Sequence, residues 1–305
     1  MPQRHLDAPL ATRPWRAGLT WVVGCLATAV AGCGHPSEPG TARAASSASA
    51  AATSSYAAVE GLKGAALLKG LNQLTRKGHR ALGYDAARDV MFATIDDPTG
   101  KDVVLDVYCG RAGRGVTDRK SAFHRGLNAE HTWPQSLGAR QEPAKSDLHH
   151  LFPADAATNS QRSNHRYGVP DHVIETLPSY LGDGLNSKVG TSLDGATVFE
   201  PRADHKGDVA RAIFYFYARH AYGASPFAGI KLDNFRKEFA TLWAWHFQDP
   251  PSLKERTRNA AIERVQGNRN PFVDRPEFVQ RIGHFLAPGQ SPRAISEEPP
   301  GLRTP

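Results

Sequence analysis

Two short apolar runs and a helix-compatible segment follow one another within residues 127–168 of this 305-residue chain. The first run is closed by Pro134. The second, at residues 147–152, is followed by Pro153, and residues 154–164 are compatible with a helix. Short apolar runs bounded by turn residues are typical of strands. The middle of the chain is therefore predicted to form a strand, a loop, a second strand and a helix, in that order.

The segments on either side of this unit carry apolar residues at helical spacing. The spacing predicts helices over residues 61–82, 86–95, 208–222, 232–247 and 252–266. A run rich in β-branched residues at 103–107 predicts a short strand, whereas residues 111–120 show no periodicity and predict a surface loop. We therefore expect an α+β fold, a mostly helical domain with a small β element.

Basic, apolar and small residues follow one another at the N-terminus, as in bacterial lipoprotein signal peptides. The apolar run at residues 18–31 is too short to cross a bilayer as a helix. It leads into Val-Ala-Gly-Cys, a pattern in which a peptidase cuts before the cysteine and the thiol carries a lipid. We expect residues 1–33 to direct export and Cys33 to anchor the protein to a membrane, in the periplasm or at the cell surface. The alternative is ordinary cleavage, which gives a soluble periplasmic or secreted protein.

The rest of the chain divides by composition into three parts. Residues 34–58 are rich in Ala, Ser, Gly and Pro and predict a disordered tether, and the Pro-rich residues 287–305 predict a disordered tail. Residues 59–286 form a single predicted domain without internal repeats. With Cys33 acylated, Cys109 is the one free thiol of the mature chain, so the core rather than disulfides must hold the domain together.

The net charge of +7 at pH 7 favours polyanionic partners, either nucleic acid or an anionic membrane. Three of the arginines, Arg111, Arg114 and Arg119, precede the central unit in a glycine-bearing segment. They are candidates for contacts with phosphate, and an ordinary solvated loop is the alternative. No feature of the sequence indicates an obligate protein partner.

Glu130, His131 and Asn159 supply groups that the hydrolysis of a phosphodiester bond requires. A neutral imidazole can take a proton from water near pH 7. Mg²⁺ prefers oxygen ligands and keeps several waters, so one carboxylate and one amide oxygen are enough to hold it. A guanidinium can clamp a phosphate through two hydrogen bonds. Because neighbours on a regular strand point to opposite faces, Glu130 and His131 can share a site only where the strand ends or bulges.

These residues stand in motifs that resemble the bacterial endonuclease I family. The motifs are Asn-Ala-Glu-His-Thr-Trp-Pro at 128–134, Ser-Asp-Leu-His-His-Leu-Phe-Pro at 146–153, Asn-Ser-Gln-Arg-Ser-Asn at 159–164, Gly-Asp-Val-Ala-Arg-Ala at 207–212 and Asn-Arg-Asn-Pro-Phe-Val-Asp at 268–274. The resemblance extends over residues 61–285 in the same order. It implies an extracytoplasmic nuclease built around a ββα-metal motif, which cuts DNA, with RNA as a second candidate substrate, without sequence specificity and leaves 5′-phosphate ends.

The resemblance also implies roles for individual residues. By matching motif positions, His131 becomes the general base, and Glu130 and Asn159 become the protein ligands of Mg²⁺, for which Mn²⁺ or Ca²⁺ could substitute. The arginine that stabilises the leaving group stays open between Arg140 and Arg162, because the spacer between the first two motifs varies within the family. Some members are held by several disulfides, which the mature chain would lack.

Other polar residues of the central unit have less specific assignments. We expect His149 to make a structural hydrogen bond rather than to bind metal, and Asn164 to hold the local backbone. Asp147 either orients a histidine from behind the site or serves at a turn. Arg162 either clamps a phosphate or forms a surface salt bridge.

Two other functions compete with the nuclease. A lipid-anchored protein that captures DNA without cutting it would carry the same positive charge, but the base and both metal ligands are present here. A zinc-binding surface protein would require ligand spacing such as His-x-x-x-His or a pair of cysteines. The sequence has no such spacing, so the nuclease is the favoured function.

Overall fold

The computed structural model describes residues 56–224 and 229–286. The predicted signal peptide with Cys33, most of the predicted tether and the predicted tail lie outside these residues. The end of the predicted tether needs correction, because Tyr56 is buried. Its hydroxyl donates to Asp274 Oδ2 (2.7 Å) and its ring packs against Phe278, with the centroids 5.6 Å apart. The folded domain therefore includes Tyr56.

The described residues form nine α-helices and eight short strands, which confirms the α+β, mostly helical fold class. The helices are α1 (Gly64–Arg76), α2 (Tyr84–Val90), α3 (Arg119–His124), α4 (Ala156–Arg162), α5 (Lys206–Phe216), α6 (Asp233–Gln248), α7 (Leu253–Gln266), α8 (Pro271–Asp274) and α9 (Glu277–Ile282). Two of them continue into π-helical turns, α2 at Met91–Ile95 and α5 at Tyr217–Ala221. None of the helices in the described part of the chain is both long and apolar enough to cross a membrane.

The strands form three small sheets. They are β1 (Val103–Leu105), β2 (Ala112–Arg114), β3 (Leu127–His131), β4 (Leu151–Asp155), β5 (Arg166–Tyr167), β6 (His172–Thr176), β7 (Lys188–Thr191) and β8 (Thr197–Glu200). β1 pairs with β2 and β3 pairs with β4, and both pairs are antiparallel. The third sheet has the strand order β5-β8-β7-β6, with β5 and β8 parallel and the other pairs antiparallel.

The predicted surface loop at residues 111–120 is wrong. It contains β2, and it ends in the first turn of α3, where Asp118 accepts the backbone N–H of Ser121 (2.7 Å). The hydroxyl of Ser121 in turn accepts the backbone N–H of Asp118 (3.0 Å), which completes a capping box. The usual third helical residue of such a box is Glu or Gln. Because Ser121 takes that position here, the sequence pattern did not indicate the start of α3.

The second strand of the central unit and the first long helix have other limits than expected. Residues Leu148–His150 form a 3₁₀ turn, so the second strand of the central unit starts at Leu151 and continues through Pro153. Proline is tolerated there because β4 has a strand partner on one side only. The first long helix spans Gly64–Arg76 rather than residues 61–82.

Helix α5 lies in the larger of two apolar clusters and is buried along most of its length. Phe214 contacts Phe235, Phe239, Phe272 and Phe285, with ring centroids 4.8–6.5 Å apart. Burial of each side chain of this size contributes about 1.5–3 kcal/mol to the free energy of folding. The aromatic residues of α5 therefore belong to the core.

The same helix packs against the segment that connects β3 and β4. Phe216 stacks on Trp133, with the ring centroids 4.5 Å apart, and its ring also lies 4.9 Å from that of His150. Trp133 follows β3, and His150 precedes β4. Both ends of the segment that connects β3 to β4 are thus fixed to α5, which holds the β3–β4 hairpin against the core.

Candidate active site

The candidate site is built on the β3–β4 hairpin and on α4, which follows it directly. Glu130 pairs with Phe152 and His131 pairs with Leu151 at the end of the hairpin. Asp155 ends β4 and caps α4, because its Oδ1 accepts the backbone N–H groups of the first turn (3.0 and 3.1 Å). β3 ends at His131, as the sharing of a site by two neighbouring residues requires.

The carboxylate of Glu130 is buried and is held through one of its two oxygens. Oε1 accepts the hydroxyls of Tyr108 (2.9 Å) and Tyr167 (3.3 Å). The Nε atom of Arg162 lies 3.1 Å from the same oxygen as an ion pair whose N–H is not directed at it. Oε2 accepts no hydrogen bond from the described residues. Glu130 therefore keeps one oxygen available in a fixed orientation.

The imidazole of His131 is also fixed through one atom. Nε2 donates to the carbonyl of Lys145 (3.0 Å), which can only accept, so the proton of the neutral ring is on Nε2. Nδ1 then carries the lone pair and receives the side-chain amide of Gln135 at 3.3 Å. The pKa of His131 is lowered from 6.5 to about 3, mainly by burial and to a smaller extent by the neighbouring His150. The ring is therefore neutral at pH 7, with Nδ1 able to take a proton.

The amide of Asn159 is oriented by its neighbour on β3. Nδ2 of Asn159 donates to Oδ1 of Asn128 (2.8 Å), which ties the middle of α4 to the strand. The side-chain oxygen of Asn159 accepts no hydrogen bond within residues 56–224 and 229–286. Like Glu130, Asn159 thus presents one oxygen whose direction is set by a contact elsewhere on the same group.

An open cleft of about 480 Å³ brings the expected site residues together. Its lining includes Glu130, His131, Arg140, Asn159, Arg162 and Asn164. Asn164 lies exposed at the cleft, where its Nδ2 donates to Ser136 Oγ (3.2 Å) and its carbonyl accepts the amide of Asn234 (3.2 Å). Ser163, which lies between Arg162 and Asn164, has a φ of 54°, which is unusual for a residue other than glycine.

The two candidate arginines differ in their surroundings. Arg162 is buried and donates to the carbonyls of Thr132 (2.7 Å) and Ser163 (2.9 Å), and its guanidinium lies 4.5 Å from the ring centre of Tyr167. Burial by itself would lower the pKa of Arg162, but the charge of Glu130 outweighs it and raises the pKa. The alternative of a surface salt bridge is therefore wrong. Arg140 is exposed, and no described carboxylate lies within ion-pair distance of it.

Asp147 forms a hydrogen bond with a histidine outside the cleft and also serves at a turn, because its Oδ1 accepts the backbone N–H of His149 (3.1 Å) at the start of the 3₁₀ turn. Its Oδ2 accepts the hydroxyl of Tyr215 (2.8 Å) and Nε2 of His220 (2.9 Å). Burial acts to raise the pKa of Asp147, but the hydrogen bond and charge of His220 outweigh it and hold the pKa well below its usual value. His149 donates to the carbonyl of Asn268 (3.1 Å), so it has the expected structural hydrogen bond.

Two of the three arginines expected at phosphate are bound within the protein. Arg111 pairs with Asp155 (2.8 Å), and Arg119 pairs with Asp89 and Asp85. Arg114 is exposed, and no carboxylate of the described chain pairs with it. Arg114 is therefore the main candidate for contact with phosphate, whereas Arg111 holds the start of α4.

Several residues that organise the site were not singled out from the sequence. Asn128 and Gln135 lie inside or next to the first motif, and Gln135 follows His131 by four residues, so proximity alone was a signal for both. Tyr108 and Tyr167 lie 22 and 37 residues from Glu130 along the chain, and nothing local marked them. Their contribution depends on tertiary packing.

In the part of the chain that the structure describes, no three or more His, Cys, Asp or Glu side chains are grouped so as to hold a metal ion. The candidate metal ligands of the cleft are one carboxylate oxygen and one amide oxygen. Because an amide is not among these residue types, this pair does not form such a group. A metal held here would therefore keep several water ligands, which is typical of Mg²⁺.

Comparison with known proteins gives a consistent set of similarities. The sequence profile of the family described as Endonuclease I matches residues 70–277. The extracellular ribonuclease of Bacillus subtilis (strain 168) is 31% identical over an alignment of 245 residues that covers 74% of this chain and 77% of that protein. The periplasmic deoxyribonuclease of Aeromonas hydrophila is 30% identical over 131 residues, 43% of this chain and 48% of that protein. The profile match includes the hairpin, α4 and all residues of the cleft.

Proposed function

Since the chain belongs to the Endonuclease I family and is therefore a nuclease, we propose that it is a Mg²⁺-dependent endonuclease that cuts DNA and RNA without sequence specificity. The relatives reported above are named as a ribonuclease and a deoxyribonuclease, which supports both substrates. Cleavage leaves a 5′-phosphate, so the 3′ oxygen is the leaving group.

One observation carries this proposal. Glu130 and Asn159 each have one polar atom fixed by a neighbour and one oxygen that accepts no hydrogen bond from the described residues. His131 is fixed through Nε2, and its Nδ1 is reached only by the side-chain amide of Gln135 at 3.3 Å. All three residues line the same cleft. In a purely structural set of buried polar groups, the oxygens of Glu130 and Asn159 would both be paired within the protein.

The donor atoms fit Mg²⁺. Oε2 of Glu130 and Oδ1 of Asn159 are hard oxygen ligands, and the cleft leaves room for the waters that Mg²⁺ retains. When bound, Mg²⁺ offsets the negative charge that develops on the phosphate and the leaving oxygen. Mn²⁺ and Ca²⁺ also bind oxygen ligands and are expected to occupy the same position.

The residues of the chain supply the proton transfer and the positioning. Nδ1 of His131 takes a proton from the attacking water as the water oxygen bonds to phosphorus and the bond to the 3′ oxygen breaks. The bond from Nε2 to the carbonyl of Lys145 keeps the ring in the required tautomer. Arg140, exposed in the cleft, contacts the phosphate. Arg162 forms the buried ion pair with Glu130 and so holds its carboxylate in place.

A protein that captures DNA without cutting it is the competing proposal, and turnover separates the two. We expect the full chain to degrade plasmid DNA and RNA in Mg²⁺ and to stop in EDTA. Glu130→Ala and Asn159→Ala should each raise the Mg²⁺ concentration required, with partial rescue at saturation. Gln161→Ala, on the exposed side of the same helix, is the matched control and should not raise it. Undiminished cutting in EDTA, or binding without cutting in Mg²⁺, would contradict the proposal.

We also propose that the protein is exported and lipid-anchored at Cys33. The relatives are named as extracellular or periplasmic, and the N-terminal sequence has the order of a lipoprotein signal. Cys33→Ser should move the protein from the membrane fraction to the soluble exported fraction. Wild-type protein found entirely in the soluble fraction would indicate ordinary secretion instead.

A further inference from the structure

A large aromatic ring stands exposed on α3, the helix immediately before the strand that carries Glu130. The side chain of Phe123 is 74% exposed, and the neighbouring His124 is exposed as well, with the two ring centroids 6.0 Å apart. A single exposed apolar residue is common on protein surfaces. What distinguishes Phe123 is the set of exposed cations on α3 and in the segments that flank it.

Three exposed cations accompany Phe123, and we call Arg114, Lys120, Phe123, His124 and Arg125 together the α3 surface. Within residues 56–224 and 229–286, no carboxylate pairs with Arg114, Lys120 or Arg125. Nη2 of Arg125 lies 3.5 Å from the position that a Cβ on Gly115 would take, which places its guanidinium beside the end of β2 that carries Arg114. Lys120 and Arg125 thus lie within three residues of Phe123 along the chain, and Arg125 lies beside the strand end that carries Arg114.

The remaining charges of α3 are already matched. Arg119 pairs with Asp85 and Asp89, and Asp118 is engaged in the capping box with Ser121. The α3 surface thus keeps an excess of positive charge that nothing in the described structure neutralises. Phosphate groups are complementary to such a surface, whereas the centre of a protein–protein interface is usually depleted of charge.

The α3 surface is attached to the candidate active site through the backbone. The carbonyl of Arg125 accepts Nη2 of Arg111 (2.7 Å), and the carbonyl of Gly126 accepts the backbone N–H of Ala156 (2.9 Å), the first residue of α4. Asn159 lies one turn further along that helix, and Glu130 lies three residues into β3, about 10 Å from its start. A nucleic acid strand on the α3 surface could reach the cleft within a few nucleotides.

We propose that the α3 surface binds unpaired segments of nucleic acid, with Phe123 stacking on a base while Arg114, Lys120 and Arg125 contact phosphates. The inference rests on the proposed nuclease function and adds a substrate class to it. A base inside a duplex has both faces covered by its neighbours, so an exposed ring gains a stacking partner only from an unpaired base. Stacking on an aromatic ring tolerates every base, which agrees with cutting that ignores sequence.

Binding of the full chain to a fluorescent oligo(dT), to an oligo(rU) and to a DNA duplex, all in EDTA to prevent cutting, tests the proposal. Phe123→Ala should weaken binding of both single strands about 5- to 150-fold, the usual value of one stacked base, and change duplex binding little. Phe123→Trp should retain the affinity. Phe247→Ala removes another exposed phenylalanine, 47% exposed on α6, and should have no effect.

Salt dependence provides an independent readout of the cations. Arg125→Met should reduce the log–log slope of single-strand affinity against salt concentration by about 0.7, the value for one lost phosphate contact. An unchanged single-strand affinity in Phe123→Ala, or an equal loss on duplex, would overturn the inference. If wild type still cuts nucleic acid in Mg²⁺, the proposed function survives that result; if wild type neither binds nor cuts, both proposals fail.

Discussion

At the scale of single residues, the two arginines of the cleft should respond differently to removal. Arg162→Met leaves Glu130 buried without its cation and the carbonyl of Thr132 without its donor. Breaking a buried pair in this way costs about 3–5 kcal/mol of the free energy of unfolding. Arg140→Ala removes an exposed side chain, so its melting curve should be unchanged while the cutting rate falls roughly 10²-fold.

The measurement is a denaturant or thermal unfolding curve for each variant beside its initial cutting rate. Loss of activity without loss of stability in Arg162→Met would return that residue to the role of a phosphate clamp. A normal rate in Arg140→Ala would leave the leaving group without an arginine in this account.

Residues with a local sequence signal could be identified in advance, and those defined by packing could not. Glu130, His131 and Asn159 stand in short motifs, and the structure brings all three to one cleft. Burial separates Arg162 from Arg140, and burial is a property of the folded chain. The hydroxyls of Tyr108 and Tyr167 reach Glu130 from distant segments, so no pattern near Glu130 could reveal them.

At the scale of elements, Arg111 joins α4 to the segment before β3. Its guanidinium donates to Asp155, which caps α4, and to the carbonyls of Arg125 and Gly126. Arg111→Met should lower the free energy of unfolding by about 1 kcal/mol, because its ion pair is partly exposed to solvent. The salt dependence of nucleic acid binding should change little.

Arg114→Met is the matched control for that prediction. Arg114 has no described internal partner, so its loss should leave stability unchanged and reduce the salt slope on duplex DNA by up to about 0.9. The reverse pattern, with Arg111 controlling the salt slope and Arg114 the stability, would restore the sequence interpretation in which Arg111 contacts phosphate.

The elements themselves were predicted to different degrees. Helices with an apolar face, such as α6 and α7, lie within a residue or two of the predicted limits. β6 could not be found by alternation, because all five of its residues are exposed. β2 has three residues and a glycine at its centre, so it carried no pattern either. Short strands on the outside of the molecule are set by pairing with their neighbours rather than by their own sequence.

At the scale of the whole molecule, buried neutral histidines should make stability depend on pH. Burial is the main cause that lowers the pKa of His149, His150 and His246 from 6.5 to about 4. Between these values the unfolded chain binds more protons than the folded one, so the free energy of unfolding falls as the pH falls from 6.5 towards 4. Each histidine contributes up to about 1.4 kcal/mol per pH unit in that window.

His246 offers a test away from the candidate active site, because its Nε2 donates to the carbonyl of Pro276 and neither residue lines the cleft. His246→Gln keeps a donor but cannot be protonated in this range. The slope of unfolding free energy against pH, measured between pH 6 and 4.5, should decrease by up to about 1.4 kcal/mol per unit. An unchanged slope would mean that His246 does not titrate differently in the two states.

The central claim is that Nδ1 of His131 is the general base, and the cutting rate of His131→Ala tests it most directly. The initial rate of plasmid cutting at saturating Mg²⁺ and pH 7 is compared with that of wild type and of His172→Ala, an exposed histidine on β6. The account predicts a fall of roughly 10²–10⁴-fold for His131→Ala, no change for His172→Ala, and folded protein in both cases. A folded His131→Ala variant that cuts at the wild-type rate would contradict it.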